Sequence, residues 1–78
     1  MSELEKALER LRARPPRADF ADVRRVLEAN GWEQRRQKGS HVTFVRTGHP
    51  SFTVPIVDGR RVKWTYVERL FDLLELGD

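Results

Sequence analysis

WEQRRQKGSHVTFVRTGHPSFTVPIV, residues 32–57, decides the fold. Three β-favouring runs lie in it, WEQRRQ, HVTFVR and SFTVPIV, separated by KGS and TGHP, two connections of hairpin length that each contain a glycine. The middle run is the clearest, because Val42, Thr43, Phe44 and Val45 all suit a pleated, half-buried surface. In the third run the two-residue alternation sets Phe52, Val54 and Ile56 on one face, and Pro55, which has no ladder donor, marks an edge strand. In the first run the same alternation sets Trp32, Gln34 and Arg36 on one side, with Trp32 expected in the core. The expected product is a three-stranded antiparallel sheet with one apolar face in need of cover.

Helices on either side can provide that cover. In DFADVRRVLEANG, Asp19 is the expected N-cap, Phe20, Val23, Val26 and Leu27 form an apolar stripe, and Asn30-Gly31 ends the helix in a left-handed cap. Arg24 and Arg25 lie off the stripe. After the turn DGRRV, TYVERLFDLLEL places Val67, Leu70, Phe71 and Leu74 at helical spacing, with Thr65 and Glu68 matching a capping box. A further helix is expected over residues 3–14, where Leu4, Ala7, Leu8 and Leu11 share a face. Ser2 with Glu5 suits a second capping box, and Pro15-Pro16 stops the helix. RPPRA then reads as a stiff connector. The fold class is α+β, a three-stranded antiparallel sheet backed by two helices with an extra N-terminal helix. Residues 1–16 form a helical extension expected to pack on the domain of residues 17–78.

Composition narrows the function classes. A chain of 78 residues makes one small domain, which buries only about 60% of the surface its unfolded form exposes. Any chemistry is therefore expected on an open face. There is no cysteine, so disulfides and thiolate metal sites are excluded. No apolar run approaches the roughly 18 residues of a membrane span and no charged-then-apolar leader is visible, so a soluble, unexported, cytoplasmic protein is expected. The net charge of +3 conceals an asymmetry: residues 33–65 carry seven Lys/Arg against two acidic residues, a net of +5, and residues 66–78 carry one against four, a net of −3. A basic middle of this kind points to a polyanion partner, or to the solvated surface of ordinary strands.

Within that middle, His41 follows Lys38, Gly39 and Ser40 at the mouth of the first hairpin and shares its strand face with Thr43 and Val45. An imidazole has an intrinsic pKa of about 6.5, so both charge states are reachable near neutrality, as a general acid or base on a phosphodiester requires. The competing reading is a histidine that hydrogen-bonds a phosphate or caps the turn. Ser40 next to it points the other way in an extended chain, which suits it to phosphate binding or turn shaping rather than to nucleophilic attack. Lys38 is placed to hold the scissile phosphate, and Arg35, Arg36 and Lys63 to follow the flanking backbone. Each of these reads equally well as a solvated strand residue. Trp64 and Tyr66 near Lys63 offer base stacking or, more simply, packing at the start of the last helix. His49 reads as a loop residue. It lies towards the opposite end of the strand from His41 with no carboxylate cluster near either, so no metal site and no cofactor is expected.

Taken together, NGW at a helix end, KGSH six residues later and TVP in the third strand resemble the HicA family of toxins, over residues 19–76. The resemblance implies a fold like the double-stranded RNA-binding domain and metal-independent cleavage of mRNA, with His41 in the position of the family's catalytic histidine. It also implies a HicB-type antitoxin partner that covers that histidine. The helix of residues 3–14 and the bulky DGRRVKWTY segment depart from the shortest members. RNA carries its own nucleophile, the 2′-hydroxyl beside the scissile phosphate, so His41 would need only to move a proton while Lys38 and the Gly39 and Ser40 amides offset charge at phosphorus. Two rival readings are a non-catalytic RNA-binding module of double-stranded RNA-binding type and an inactive relative retained for antitoxin docking.

Overall fold

The computed structural model describes residues 2–76. Its elements in chain order are α1 (Glu3–Arg12), β1 (Arg17–Asp19), α2 (Phe20–Ala29), β2 (Glu33–Lys38), β3 (His41–Val45), β4 (Phe52–Pro55), β5 (Arg61–Lys63) and α3 (Trp64–Leu74). The fold is α+β as expected, with an antiparallel sheet ordered β2-β3-β4 and three helices. A second, two-stranded sheet pairs β1 with β5.

That second sheet corrects the reading of RPPRA as a bare connector and of DGRRV as a turn alone. Arg17, Ala18 and Asp19 pair antiparallel with Lys63, Val62 and Arg61. Ala18 and Val62, the central pair, are buried. The turn shrinks to Asp58–Arg60, with Asp58 and Gly59 at φ of 49° and 80°, and Asp58 forms an ion pair with Arg17. The ladder also explains where α3 begins. Trp64 N–H donates to the Pro16 carbonyl at 3.2 Å, continuing the β1–β5 pairing, so the helix starts at Trp64 with Lys63 as its cap. The expected Thr65–Glu68 capping box does not form, because Thr65 already lies inside the helix. Asp19 does occupy the N-cap of α2, although its side chain makes no capping hydrogen bond.

Capping is as expected in α1. Ser2 Oγ accepts from the Glu5 N–H at 3.1 Å, and Glu5 Oε1 accepts from the Ser2 N–H at 3.0 Å. The helix ends at Arg12, before the prolines and two residues short of the expected end. It is part of the core, since Ala7 and Leu11 are completely buried beside Val23, Val26 and Leu27 of α2. Arg10 straddles the helix pair, donating from Nε and Nη2 to the two oxygens of Asp22 at 2.9 and 2.7 Å. That ion pair holds the Arg10 guanidinium above its ordinary value, the hydrogen bond to Asp22 being the main cause.

The helices lie on one face of the three-stranded sheet. Val42, Phe44 and Val54 point into the core and are completely buried, against Val67 and Leu70 of α3 and the stripe of α2. Phe20 packs on Phe44 with ring centroids 6.2 Å apart. β4 is the edge strand that Pro55 announced, and β2 is the other edge.

One irregularity settles which side chains reach the open face. Gln34 pairs with Phe44 and Arg36 with Thr43, so Arg35 is an extra residue, a β-bulge. Directly paired residues share a face of an antiparallel sheet. The bulge therefore leaves the Trp32 and Gln34 end on the side of Phe44, with Trp32 buried, and turns Arg36 to the side of Thr43. The expectation that Trp32, Gln34 and Arg36 share a side fails at this point. An unbroken pleat would have drawn Arg36 inward with Trp32.

Candidate nucleic-acid interface

The face away from the helices is built on β3, where His41, Thr43 and Val45 alternate with the buried Val42 and Phe44. His41 is exposed and pairs with Lys38 on one side and Pro55 on the other. Arg36 lies beside Thr43, whose Oγ1 is 3.3 Å from that of Thr53 on β4. Lys38, Arg36 and His41 thus stand together on one exposed surface, as their spacing around a two-residue turn requires.

That turn is Gly39-Ser40, one residue shorter than the connection read from sequence, because Lys38 belongs to β2. Gly39 has a φ of 60°, the left-handed position that a type II′ hairpin demands at its first central residue. A Cβ on Gly39 would meet nothing within 4 Å, so the surroundings of this backbone are open and the glycine serves conformation alone. The Gly39 carbonyl accepts from Gln37 Nε2 at 3.2 Å, and the Ser40 carbonyl accepts from the Ile56 N–H at 2.7 Å. Among the described residues neither the Gly39 nor the Ser40 N–H meets an acceptor. The Lys38 and His41 side chains share one face at the hairpin tip, and these two unpartnered turn amides lie between them in the chain. This is a donor-rich arrangement suited to an anion.

The other expected contacts are more dispersed. Arg35, the bulge residue, lines a groove of about 270 Å³ with Gly31, Glu33, Val45, Arg46 and Thr47 at the opposite end of the strand pair. Lys63 lies on β5 opposite Arg17, in the other sheet, and is not brought to the hairpin by any strand pairing. Trp64 is half-buried with its ring edge-on to Phe71 at 6.1 Å, and Tyr66 lies under the Arg69 guanidinium at 5.0 Å, so both are engaged in packing on α3. His49 sits in the β3–β4 loop with its ring 5.6 Å from that of Trp32. The Trp32 indole N–H is buried without an acceptor among the described residues. Arg46 was not singled out by sequence reasoning. Its side chain lies over Gly31, Nε coming within 3.3 Å of where a Cβ would stand. Among the described residues no three His, Asp or Glu side chains converge to form a metal-ligand set, and no helix is long and apolar enough to cross a membrane.

The sheet thus presents one open face that carries Arg36, Lys38 and an exposed histidine at a hairpin mouth. The family model described as HicA toxin of bacterial toxin-antitoxin matches residues 20–76, from the first residue of α2 to the end of the described chain. This is well over half of the 78 residues, and the chain belongs to the HicA toxin family, the toxin side of a toxin–antitoxin pair. Comparisons with curated proteins and with solved structures give no match. α1 and β1 lie outside the matched region.

Proposed function

We propose that this toxin is a metal-independent endoribonuclease that cleaves mRNA, with His41 as its proton-transfer group. The observation that carries the reading is the position of His41, exposed at the head of β3 and directly across from Lys38. Among the described residues the Gly39 and Ser40 N–H groups next to it in the chain meet no acceptor. In this reaction the 2′-hydroxyl of the substrate attacks the neighbouring phosphorus and the bond to the 5′-oxygen breaks. The products are a 2′,3′-cyclic phosphate and a 5′-hydroxyl. His41 takes the proton of the attacking hydroxyl or gives one to the departing oxygen; water or a substrate group completes the other transfer. Lys38 and the turn amides stabilise the charge that grows on the phosphoryl oxygens, a role in which fixed donors act without reorganisation. Arg36, two residues along the same face, holds the adjoining phosphate, with Arg35 and Lys63 as outlying cations. In the cell a HicB-type antitoxin covers the hairpin tip and so shuts off the imidazole. A cytoplasmic site of action follows from the mRNA substrate.

The decisive experiment incubates the purified protein with single-stranded RNA in excess chelator and analyses the product ends. Cleavage leaving cyclic phosphates, lost in His41→Ala, is the expected result. A gel shift without products identifies an RNA-binding module instead. Absence of both leaves the hairpin as an antitoxin-docking surface only.

A further inference from the structure

We infer that the groove at the far end of the open sheet face, between Arg35 and Arg46, is a second phosphate subsite, so that RNA lies lengthwise along β3 from the hairpin tip to this groove. The inference rests on the ribonuclease reading for the identity of the polyanion. It goes beyond that reading by fixing the direction of the strand and adding Arg46 to the surface.

Three observations converge on it. First, Val45, which lines the groove, shares a strand face with Thr43 and His41. The groove and the hairpin are thus two ends of one surface, four residues or about 13 Å apart at the rise of a β-strand. Second, the bulge and the glycine both serve the groove. The bulge releases Arg35 from the ladder at the groove wall, and Gly31, at φ 88°, leaves room for the Arg46 side chain to lie across it. Third, neither guanidinium has an ion-pair or hydrogen-bond partner among the described residues, unlike Arg10 and Arg17. Glu33 also lines the groove and works against an anion, so the local balance is two cations to one carboxylate. Between the two ends stand Arg36 and the Thr43–Thr53 hydroxyl pair, donors suited to phosphate and ribose. The paired residues of this column (Lys38, Arg36 and Glu33 on β2, His41, Thr43 and Val45 on β3, Pro55 and Thr53 on β4) include no Phe, Tyr or Trp, and the groove is expected to grip backbone without reading bases.

The test uses the full chain in a His41→Ala background, where RNA survives, and measures binding of a long oligouridylate as a function of salt. Each phosphate contact to a single strand contributes about 0.7 to the slope of log affinity against log salt. Arg46→Ala is expected to lower the slope by about 0.7 and the affinity several-fold at low salt. Arg46→Lys should restore the slope, and Arg35→Ala should repeat the loss, which guards against local collapse over Gly31. Arg24→Ala, on the outer side of α2, should leave the slope unchanged. An unaltered slope in Arg46→Ala and Arg35→Ala, or an equal loss in Arg24→Ala, overturns the lengthwise track while the ribonuclease reading stands. No binding of RNA by the His41→Ala parent overturns both.

Discussion

Lys38 and His41 face each other as the closing pair of the β2–β3 hairpin, with only Gly39 and Ser40 between them. Because paired residues of an antiparallel ladder put their side chains on the same side, the ammonium and the imidazole border one space without any help from tertiary packing. Substitution at either position should therefore change rate and leave the fold alone. His41→Ala is expected to slow single-turnover RNA cleavage by about 10²–10⁴-fold, and Lys38→Ala by about 10²–10³-fold. Thermal midpoints should match the parent. A His41→Ala protein that cleaves at the parental rate would exclude the imidazole from the chemistry.

Gly39 offers a test of backbone geometry. Its φ of 60° is accessible to a D-residue and strained for an L-residue, and no atom lies close enough to obstruct a side chain. Gly39→Val should destabilise the protein by about 1–3 kcal/mol and misalign Lys38 with His41, lowering the cleavage rate as well. D-Alanine at the same place, introduced by chemical synthesis of this short chain, should preserve both properties. Urea titration and single-turnover rates report the two effects separately.

Arg10 and Asp22 are unequal partners. The Asp22 side chain keeps only 9% of its surface exposed, whereas that of Arg10 keeps 55%. Removing the arginine strands a buried carboxylate; removing the carboxylate releases an arginine that reaches water easily. Arg10→Met should consequently lower the thermal midpoint more than Asp22→Ala, and the double variant should recover part of the loss. Equal effects in scanning calorimetry would mean that the pair is loosened in solution.

Acid should loosen the start of α1 before the rest of the molecule. The Glu5 carboxyl lies below its ordinary value, chiefly because it accepts a hydrogen bond from the Ser2 backbone N–H and also through its side-chain bond with Ser2. A depressed carboxyl contributes stability that is present above the unfolded value of 4.5 and disappears as pH falls through the lower folded value. Amide exchange at Glu5 and Lys6 should therefore accelerate in that window, ahead of global unfolding. In Ser2→Ala the amides should already exchange quickly at neutral pH, with no further step.

The three long strands, the stripe of α2 and the wall of α3 were legible because each extends over at least a full period of its pattern. β1 and β5 were not, since three residues are too few for alternation to register, and their pairing joins segments more than forty positions apart. The start of α3 was misjudged for the same reason: a Trp64–Pro16 backbone bond outweighs a local Thr65 cap. The bulge at Arg35 arises from two demands that local propensity does not contain. Trp32 must enter the core, while the Gly39 turn holds Lys38 opposite His41 on the outside. The neighbourhood of His41 could be read because a two-residue turn dictates it. Arg46 could not, because its place depends on the side chain that Gly31 lacks.

The two rims of the three-stranded sheet bear on how the free toxin behaves at high concentration. An unpaired strand edge is a template on which a second chain can add itself. Here one rim is kinked and studded with cations, and the other carries an imino acid that offers no donor. Neither rim therefore presents the flat, unbroken row of donors and acceptors on which copies made without their neutralising partner could stack into ribbons.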